Sequence, residues 1–219
     1  MVFLHRLSII NLNCPKWFIF AQNIIMNLLA HAQLSGDNER VLAGNLMADA
    51  VKGRTWEKYA PDIQSGILLH RQIDDFTDKH PLVRQSKAVI REQYGLYSGV
   101  VTDIYFDHFL ASDWETYSDT SLVNFSSHVY SILSRHFTLL PPRIKYILPF
   151  MMSQNWLNSY ASPRELKRIF YGMDRRTGFR SGMKTAVVVM ETHYKILHEN
   201  FRKFYPQLEQ RVEEVLASA

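Results

Sequence analysis

Cysteine is almost absent from this chain of 219 residues, in which Cys14 is the only one. A single thiol excludes a disulfide framework, a thiolate zinc cluster and an iron–sulfur site built by this chain alone. A strong excess of one charge is also lacking, because 25 basic residues face 21 acidic residues. The resulting net charge of +4 is too weak to argue for nucleic acid as a partner. With 47% hydrophobic residues, the composition is that of an ordinary globular domain.

Several catalytic signatures are missing as well. The sequence contains no G-x-S-x-G nucleophile elbow, no G-x-x-x-x-G-K-[ST] phosphate loop, no G-x-G-x-x-G fingerprint and no H-E-x-x-H zinc motif. Any chemistry must therefore come from residues outside these common templates.

No uninterrupted apolar stretch approaches the ~20 residues of a membrane-spanning helix. Residues 1–25 come nearest, but four residues interrupt them: Asn11, Asn13, Pro15 and Lys16. The last two also split the apolar region that a signal peptide needs, and no small-x-small cleavage pattern precedes Met26. We therefore interpret residues 1–25 as an extra segment outside the fold and expect translation to start at Met26.

Apolar residues from Met26 onward recur at three- and four-residue spacing, and strict alternation is scarce. This pattern predicts one all-α domain, residues 26–219, built as a compact multi-helix bundle. The spacing predicts eight helices, at about 38–52, 62–77, 83–94, 98–111, 122–136, 142–152, 162–171 and 179–204. The stretch 98–111 is apolar almost all round, which indicates a buried helix.

Acidic and histidine residues interrupt these apolar faces at four-residue spacing. His70 and Asp74 share one face of a predicted helix, and Asp103 and Asp107 repeat the spacing on the most buried helix. Buried carboxylates need a cation or an arginine, because burial disfavours their charged form. Such pairs can bind a divalent ion, but an ordinary His–Asp hydrogen bond or a buried salt bridge remains an alternative.

Three further residues extend this set. Asp49 lies amid apolar neighbours, His31 lies on the first apolar segment, and His108 follows the second acidic pair. Helices that carry such residues inward commonly build metal sites in bundles. Oxygen and nitrogen ligands without sulfur suit Mn²⁺, Fe²⁺, Mg²⁺ or Zn²⁺. Exposure to solvent for Asp49 and a satisfied core position for His31 are the plainer alternatives.

Four motifs carry a resemblance to a known family. They are MNLLAH at 26–31, LAGNLMAD at 42–49, GILLHRQID at 66–74 and DIYFDHFL at 103–110. In this order they resemble the acyl carrier protein phosphodiesterase family, and FRKFYP at 201–206 extends the resemblance to about Tyr205. That family begins at a Met-Asn-x-Leu-Ala-His motif, which supports Met26 as the start.

The resemblance implies a Mn²⁺-dependent enzyme that we expect to act in the cytoplasm. It would cleave the phosphodiester between 4′-phosphopantetheine and a serine of holo-acyl carrier protein, giving apo-acyl carrier protein and 4′-phosphopantetheine. A helical fold distantly similar to the HD phosphohydrolases is also implied. The chain departs from that pattern, because it has His70-x-x-x-Asp74 and a reversed Asp107-His108 instead of an adjacent His-Asp pair.

Roles for individual residues follow from this resemblance as a hypothesis. One or two ions would be held by Asp49, His70, Asp74, Asp103 and Asp107, and would activate water and neutralise the phosphodiester. His31 or His108 would give a proton to the leaving serine oxygen, and Arg71 would hold a phosphate oxygen. Asp49 is expected to be essential for catalysis.

An acidic helical partner such as acyl carrier protein needs a basic docking surface. Residues 164–184 hold seven basic residues and two acidic residues. We expect the partner to contact Arg164, Lys167, Arg168, Arg175, Arg176 and Arg180. An ordinary solvated helix face is the alternative. The aromatic residues between these charges, including Phe170, Tyr171 and Phe179, are expected to pack in the core, and the lining of a groove for pantetheine is the alternative.

The sequence leaves two other functions open. An HD-type hydrolase of a nucleotide or other small phosphoester would use the same metal site. A non-catalytic module that binds carrier protein would hold no metal, and arginines would neutralise Asp103 and Asp107. A membrane attachment through residues 1–25 is less favoured, because of the interruptions described above.

Overall fold

The structure, a computed structural model, describes residues 27–217, and every regular element in that range is a helix. The prediction of an all-α domain is therefore confirmed. The predicted extra segment, residues 1–25, lies outside the described residues. Between residues 27 and 217, no helix combines the length and the apolar character needed to cross a membrane.

Twelve α-helices succeed one another within the described range. They are α1 (Leu28–Gln33), α2 (Glu39–Met47), α3 (Pro61–Lys79), α4 (Pro81–Val89), α5 (Arg91–Tyr94), α6 (Ser98–Ser112), α7 (Leu122–Arg135), α8 (Pro142–Ser153), α9 (Trp156–Ser159), α10 (Pro163–Arg176), α11 (Ala186–Thr192) and α12 (Tyr194–Ala217). Short 3₁₀ turns join several of them, including Ala48–Ala50 after α2 and Met183–Thr185 before α11.

Capping residues explain where several helices begin. The Asn38 side chain accepts hydrogen bonds from the N–H groups of Arg40 and Val41 at the start of α2. Ser162 accepts from the N–H of Glu165 at the start of α10, in the manner of a helix N-cap. Proline occupies the first position of α3 and α4, where its missing N–H costs nothing.

Several predicted boundaries are wrong. The helix predicted over 162–171 continues to Arg176, and the last helix continues beyond residue 204 to Ala217. The first predicted helix ends at Met47, so that Asp49 lies in the 3₁₀ turn that follows. The stretch 83–94 is divided at Ile90 into α4 and α5, and the stretch 179–204 is divided at His193 and begins only after residue 182. The periodicity shows none of these breaks, because it does not report the polar contacts that end a helix.

Buried Asp174 makes the contacts that separate α10 from the following helix. Its carboxylate accepts from Ser181 Oγ at 2.8 Å and from the N–H of Lys184 at 3.3 Å. Phe179, between Asp174 and Ser181 in the sequence, has a positive φ of 60°, and the N–H of Phe179 donates to the Asp174 carbonyl at 2.8 Å. A regular helix cannot include such a residue, so helical structure resumes later.

Helix α6 is the central helix of the domain. Val101, Tyr105 and Phe109 are fully buried, and α6 packs against α1, α4 and α12. The ring of Phe109 lies 5.9 Å from that of Phe201 on α12. The prediction of a buried helix over 98–111 is confirmed, and α6 packs against α1, one of the helices that carry the candidate site.

Two glycines set the distance between α2 and α3. A Cβ atom on Gly44 would overlap the carbonyl oxygen of Ile63, and one on Gly66 would overlap that of Val41. The two helix backbones therefore touch where these glycines meet. This close approach brings Asn45 of α2 against the face of α3 that carries the candidate site.

Candidate metal centre

Three polar side chains meet between α1 and α3. His31 comes from α1, and His70 and Asp74 lie one turn apart on α3. One potential ligand atom from each residue lies within 4.8 Å of the other two. The His31 Nε2 atom is 3.2 Å from Asp74 Oδ1, and His70 Nε2 is 3.2 Å from Asp74 Oδ2. The four-residue spacing of His70 and Asp74 thus places both on the same site, as their helix periodicity predicts.

Asn45 fixes the orientation of both imidazoles. Its amide nitrogen donates to the carbonyl oxygen of His31 and to Ser35 Oγ, each at 3.0 Å, which leaves Oδ1 as the acceptor. That oxygen is 2.8 Å from His31 Nδ1 and 3.2 Å from His70 Nδ1. Both Nδ1 atoms therefore carry hydrogen, because the amide oxygen can only accept. The two rings are stacked, with their centroids 4.0 Å apart.

This arrangement leaves both Nε2 atoms facing carboxylate oxygen. In a neutral imidazole with hydrogen on Nδ1, Nε2 presents a lone pair. Two lone pairs opposite the Asp74 carboxylate repel it unless a proton or a metal cation lies between them. A histidine that donates its other N–H to an oxygen acceptor is also the usual form of a metal ligand.

Asp49 adds a second carboxylate to the same centre. Its Oδ1 lies 3.3 Å from His70 Nε2, and the 3₁₀ turn after α2 holds it there. The donor set is then two imidazole nitrogens and two carboxylates without sulfur, which suits a borderline-to-hard divalent cation. The residues present therefore fit the metal that the sequence resemblance implies.

The ionisation of these groups follows from the same contacts. Burial lowers the pKa of His31, and the neighbouring His70 lowers it further. Burial also acts to lower the pKa of His70, but hydrogen bonds to Asp49 and Asp74 outweigh it and raise this pKa to about 9. Burial opposes ionisation of Asp74, yet its bonds to the two histidines hold its pKa well below the usual range. Of these three groups, the His70 imidazole therefore binds a proton most readily when no metal is bound.

A pocket of about 190 Å³ opens beside this centre. It is lined by Asn27, Asp49, His70, Asp74, Thr77, Asp78 and Asp103. Asp103 reaches it from α6, so the structure brings this predicted ligand to the site. Burial is the main reason why the pKa of Asp103 is raised to about 7, although Lys87 acts to lower it.

Asp107 has a different environment from Asp103. It is fully buried, and its two oxygens accept from the N–H groups of Leu29 and Ala30, each at 3.0 Å. These N–H groups belong to the first turn of α1, which carries His31. Asp107 was predicted as a metal ligand, but its oxygens instead hold the start of α1 and thereby position His31.

His108 and Arg71 are not brought into the pocket. The Nδ1 atom of His108 donates to the carbonyl oxygen of Tyr160 at 2.7 Å, on another side of α6. Arg71 is exposed, donates to the carbonyl oxygen of Gly53 at 3.2 Å, and lies 5.9 Å from the ring centre of Trp56. The geometry therefore lends no support to the catalytic roles expected of these two residues.

The predicted basic surface is partly exposed. Arg164, Lys167, Arg168 and Arg180 are exposed, whereas Arg175 and Arg176 are half-buried at the end of α10. Arg168 forms an ion pair with Glu165 at 2.7 Å. The prediction of core packing is confirmed for Phe170 but is wrong for Tyr171 and Phe179. These two are 53% and 47% exposed, and their rings contact each other beside the basic side chains.

Sequence reasoning missed two residues of this site, Asn45 and Thr77. Asn45 stands within a predicted apolar helix face, between Gly44 and Leu46, and a fully buried amide there is as unusual as a buried carboxylate. That signal was present in the sequence. Thr77 offered none, because a threonine near a helix end is common and only the structure shows its surroundings.

The family model and the related proteins that match this chain carry the same family name. A family model described as acyl carrier protein phosphodiesterase matches residues 26–208. A protein of Photorhabdus laumondii named acyl carrier protein phosphodiesterase is 34% identical over 189 residues, covering 86% of this chain and 96% of the relative. Proteins of the same name from Yersinia pestis and Serratia proteamaculans are each 32% identical, over 84% and 86% of this chain and 95% and 98% of the relatives. No solved structure matches, so the distant likeness to HD phosphohydrolases stays a prediction.

Proposed function

This chain belongs to the acyl carrier protein phosphodiesterase family, and we propose that it removes 4′-phosphopantetheine from holo-acyl carrier protein by hydrolysis. The P–O bond to the serine breaks, the water oxygen ends on phosphorus, and the serine oxygen takes a proton. The products are apo-acyl carrier protein and 4′-phosphopantetheine.

The observation that carries this proposal is the paired histidine centre beside an open pocket. His31, His70, Asp74 and Asp49 would hold the divalent cation, which we propose to be Mn²⁺. When bound, the cation supplies Lewis acidity that activates water and neutralises charge on a phosphodiester. Asn45 binds both Nδ1 atoms and so leaves both Nε2 atoms free to hold a cation, and Asp107 secures the helix that carries His31.

Asp103 supports this reaction as the acid of the pocket. Burial raises its pKa to about 7, so a substantial fraction of Asp103 carries a proton on its carboxyl group near neutral pH. A leaving serine oxygen can take that proton. His31 and His108 were the predicted proton donors, but His31 belongs to the candidate metal centre and His108 lies outside the pocket.

We propose that the protein substrate docks on the basic surface of α10 and the turn that follows. Its members are Arg164, Lys167, Arg168, Arg175, Arg176, Arg180 and Lys184. Exposed Tyr171 and Phe179 lie among these cations and offer apolar contact within a charged surface. Charge complementarity of this kind accelerates encounter with an acidic partner more than it tightens binding.

The test is to incubate the purified full chain with Mn²⁺ and holo-acyl carrier protein and to follow the mass of the carrier protein. We expect the loss of one 4′-phosphopantetheine group per molecule, no loss with a chelator, and no loss with Asp49→Ala. Asp75→Ala is the matched control, because Asp75 neighbours the site on α3 but pairs with Lys79.

Two results would contradict the proposal. If the carrier protein is untouched while a small phosphoester is hydrolysed, the enzyme is a small-molecule phosphohydrolase. If neither is cleaved and no cation binds, the centre holds a proton only and the chain does not act as this enzyme.

A further inference from the structure

The pocket extends from the cation centre along α3 by one helical turn. Asp74 belongs to the centre, and Thr77 and Asp78 line the next turn, opposite Asp103 of α6. Four acidic side chains, those of Asp49, Asp74, Asp78 and Asp103, therefore line the space in which a phosphodiester anion has to bind. A divalent cation offsets only part of this negative charge, so a further positive group is required at the far end.

Lys87 of α4 provides that group. Its Nζ lies 2.7 Å from Oδ1 of Asp78, one of the acids that line this end of the pocket, and its positive charge acts to lower the pKa of Asp103. The Lys87 side chain is only 20% exposed, whereas that of Lys79, which also pairs with an α3 aspartate, is 69% exposed. The Lys87 side chain lies beside Gly99, one turn before Asp103 on α6, because a Cβ atom built on Gly99 would lie 3.8 Å from Lys87 Cε.

Thr77 shows independently that a ligand belongs at this place. It lines the pocket and is 8% exposed, yet nothing within residues 27–217 hydrogen-bonds to its Oγ1. A buried hydroxyl without a partner is unfavourable and rare in folded proteins. An incoming oxygen acceptor would satisfy it.

We propose that Lys87 and Thr77 form an oxyanion subsite that binds a non-bridging oxygen of the substrate phosphodiester next to the cation centre. The proposal rests on the phosphodiesterase function and adds the residues that hold the phosphate. Lys87 supplies the charge and Thr77 donates its hydroxyl hydrogen. The subsite takes the role that the sequence analysis gave to Arg71.

Substitution of Lys87 tests the charge, with inorganic phosphate as the probe. Lys87→Met in the full chain with Mn²⁺ is expected to raise the inhibition constant of phosphate and to lower turnover of holo-acyl carrier protein, each on the order of tenfold or more. Lys87→Arg should recover most of both effects, because it retains the charge. Lys79→Met is the matched control and should change neither.

Thr77→Val tests the hydroxyl, because valine keeps the shape and removes the polar atom. Since no group within residues 27–217 hydrogen-bonds to Oγ1, the variant should unfold at the same or a higher temperature than the unsubstituted chain. Inhibition by phosphate should nevertheless weaken several-fold. If Thr77 had only a structural role, Thr77→Val would instead lower the unfolding temperature and leave the inhibition by phosphate unchanged.

The outcomes separate this inference from the proposed function. If the unsubstituted chain cleaves holo-acyl carrier protein and Lys87→Met behaves like Lys79→Met, the subsite is wrong while the function stands. If the chain cleaves nothing, phosphate binding is followed instead by the shift of the unfolding temperature. A shift lost in Lys87→Met and retained in Lys87→Arg supports the subsite, and a shift equal in all variants overturns it.

Discussion

Asn45 controls the chemistry of the site although it does not contact the cation position. One amide oxygen accepts from both imidazoles, and its nitrogen is held by the His31 carbonyl and Ser35. A single residue thus sets the tautomer of His31 and His70 together. Partners of this kind, one step removed from the metal, affect affinity by about 10–100-fold in characterised sites.

We therefore predict that Asn45→Ala lowers the affinity for Mn²⁺ by about 10–100-fold and lowers turnover with it. Titration of the metal-free protein with Mn²⁺ measures this directly. Asn200→Ala is the control, because Asn200 is also buried and donates to Ser86 Oγ away from the site. It should cost stability without changing Mn²⁺ affinity, and equal losses of affinity in both variants would contradict the role of Asn45.

The raised pKa of His70 predicts how cation binding depends on pH. Asp49 and Asp74 raise this pKa from 6.5 to about 9, so the metal-free fold gains stability from the proton below pH 6.5 and loses that gain as the pH rises toward 9. A cation needs the unprotonated ring and competes with the proton. The apparent Mn²⁺ affinity should then rise with pH, by up to about tenfold per unit, and level off above pH 9.

Measurement of Mn²⁺ dissociation constants across this pH range checks the prediction. Asp49→Asn removes one of the two carboxylates that raise the pKa of His70. Its affinity should be weaker at every pH, but the increase with pH should be shallower and end at a lower pH. An affinity that does not change with pH in the unsubstituted protein would show that no proton is displaced from His70.

The sequence predicted much of this site because helix periodicity acts at short range. The spacing of His70 and Asp74 was sufficient to place them together, and buried acids such as Asp103 stood out among apolar neighbours. Asp107 and Asp103 look alike in sequence, and only the packing of α1 against α6 separates them. Their different roles depend on contacts between residues about 77 positions apart, which local spacing does not encode.

The crossing of α2 and α3 depends on the two glycines that separate their backbones. We predict that Gly66→Ala lowers the free energy of unfolding by about 1–3 kcal/mol, because the added methyl group overlaps backbone atoms that cannot move independently. Urea unfolding measures the loss. Mn²⁺ affinity should fall as well, since this Cβ atom would lie 2.8 Å from the backbone nitrogen of Asn45.

Gly99→Ala on α6 is the matched control for this prediction. The nearest atoms to a Cβ there are Lys87 Cε and Nζ, at 3.8 and 3.9 Å, which is ordinary contact distance. Alanine should leave the free energy of unfolding unchanged or raise it by up to about 1 kcal/mol, because it favours the helix. A Gly66→Ala protein as stable as Gly99→Ala would refute the close-contact argument.

Helix positions were more predictable than helix ends. The buried helix α6 and the start of α10 follow directly from apolar periodicity and from Ser162 as the cap. The division before α11 was not predictable in this way, because it depends on the buried side chain of Asp174 and its bonds to Ser181 and Lys184. The end of α10 is therefore set by hydrogen bonds between Asp174 and residues that lie beyond the helix in the sequence.

Opposite charges occupy different parts of this molecule. Aspartate side chains line the pocket, whereas most of the arginine and lysine side chains of the α10 surface are exposed to solvent. A phosphodiester bound to an acidic carrier protein needs both regions, because its phosphate must enter the pocket while the protein remains outside. The turn Met183–Thr185 after this surface contacts Tyr94 of α5 through Thr185, at 3.1 Å, and α5 directly follows the helix that carries Lys87.

This separation predicts that docking and chemistry respond to different substitutions. The double variant Lys167→Glu, Lys184→Glu should lower kcat/KM for holo-acyl carrier protein about tenfold at low ionic strength through KM, with kcat unchanged. The loss should shrink at high salt, because the screening length falls from about 10 Å at 0.1 M to about 3 Å at 1 M.

Lys195→Glu, exposed on α12, is the control and should have little effect. Steady-state kinetics at two salt concentrations measures both. A loss confined to kcat, or one that does not depend on salt, would mean that the carrier protein approaches from another side of the pocket.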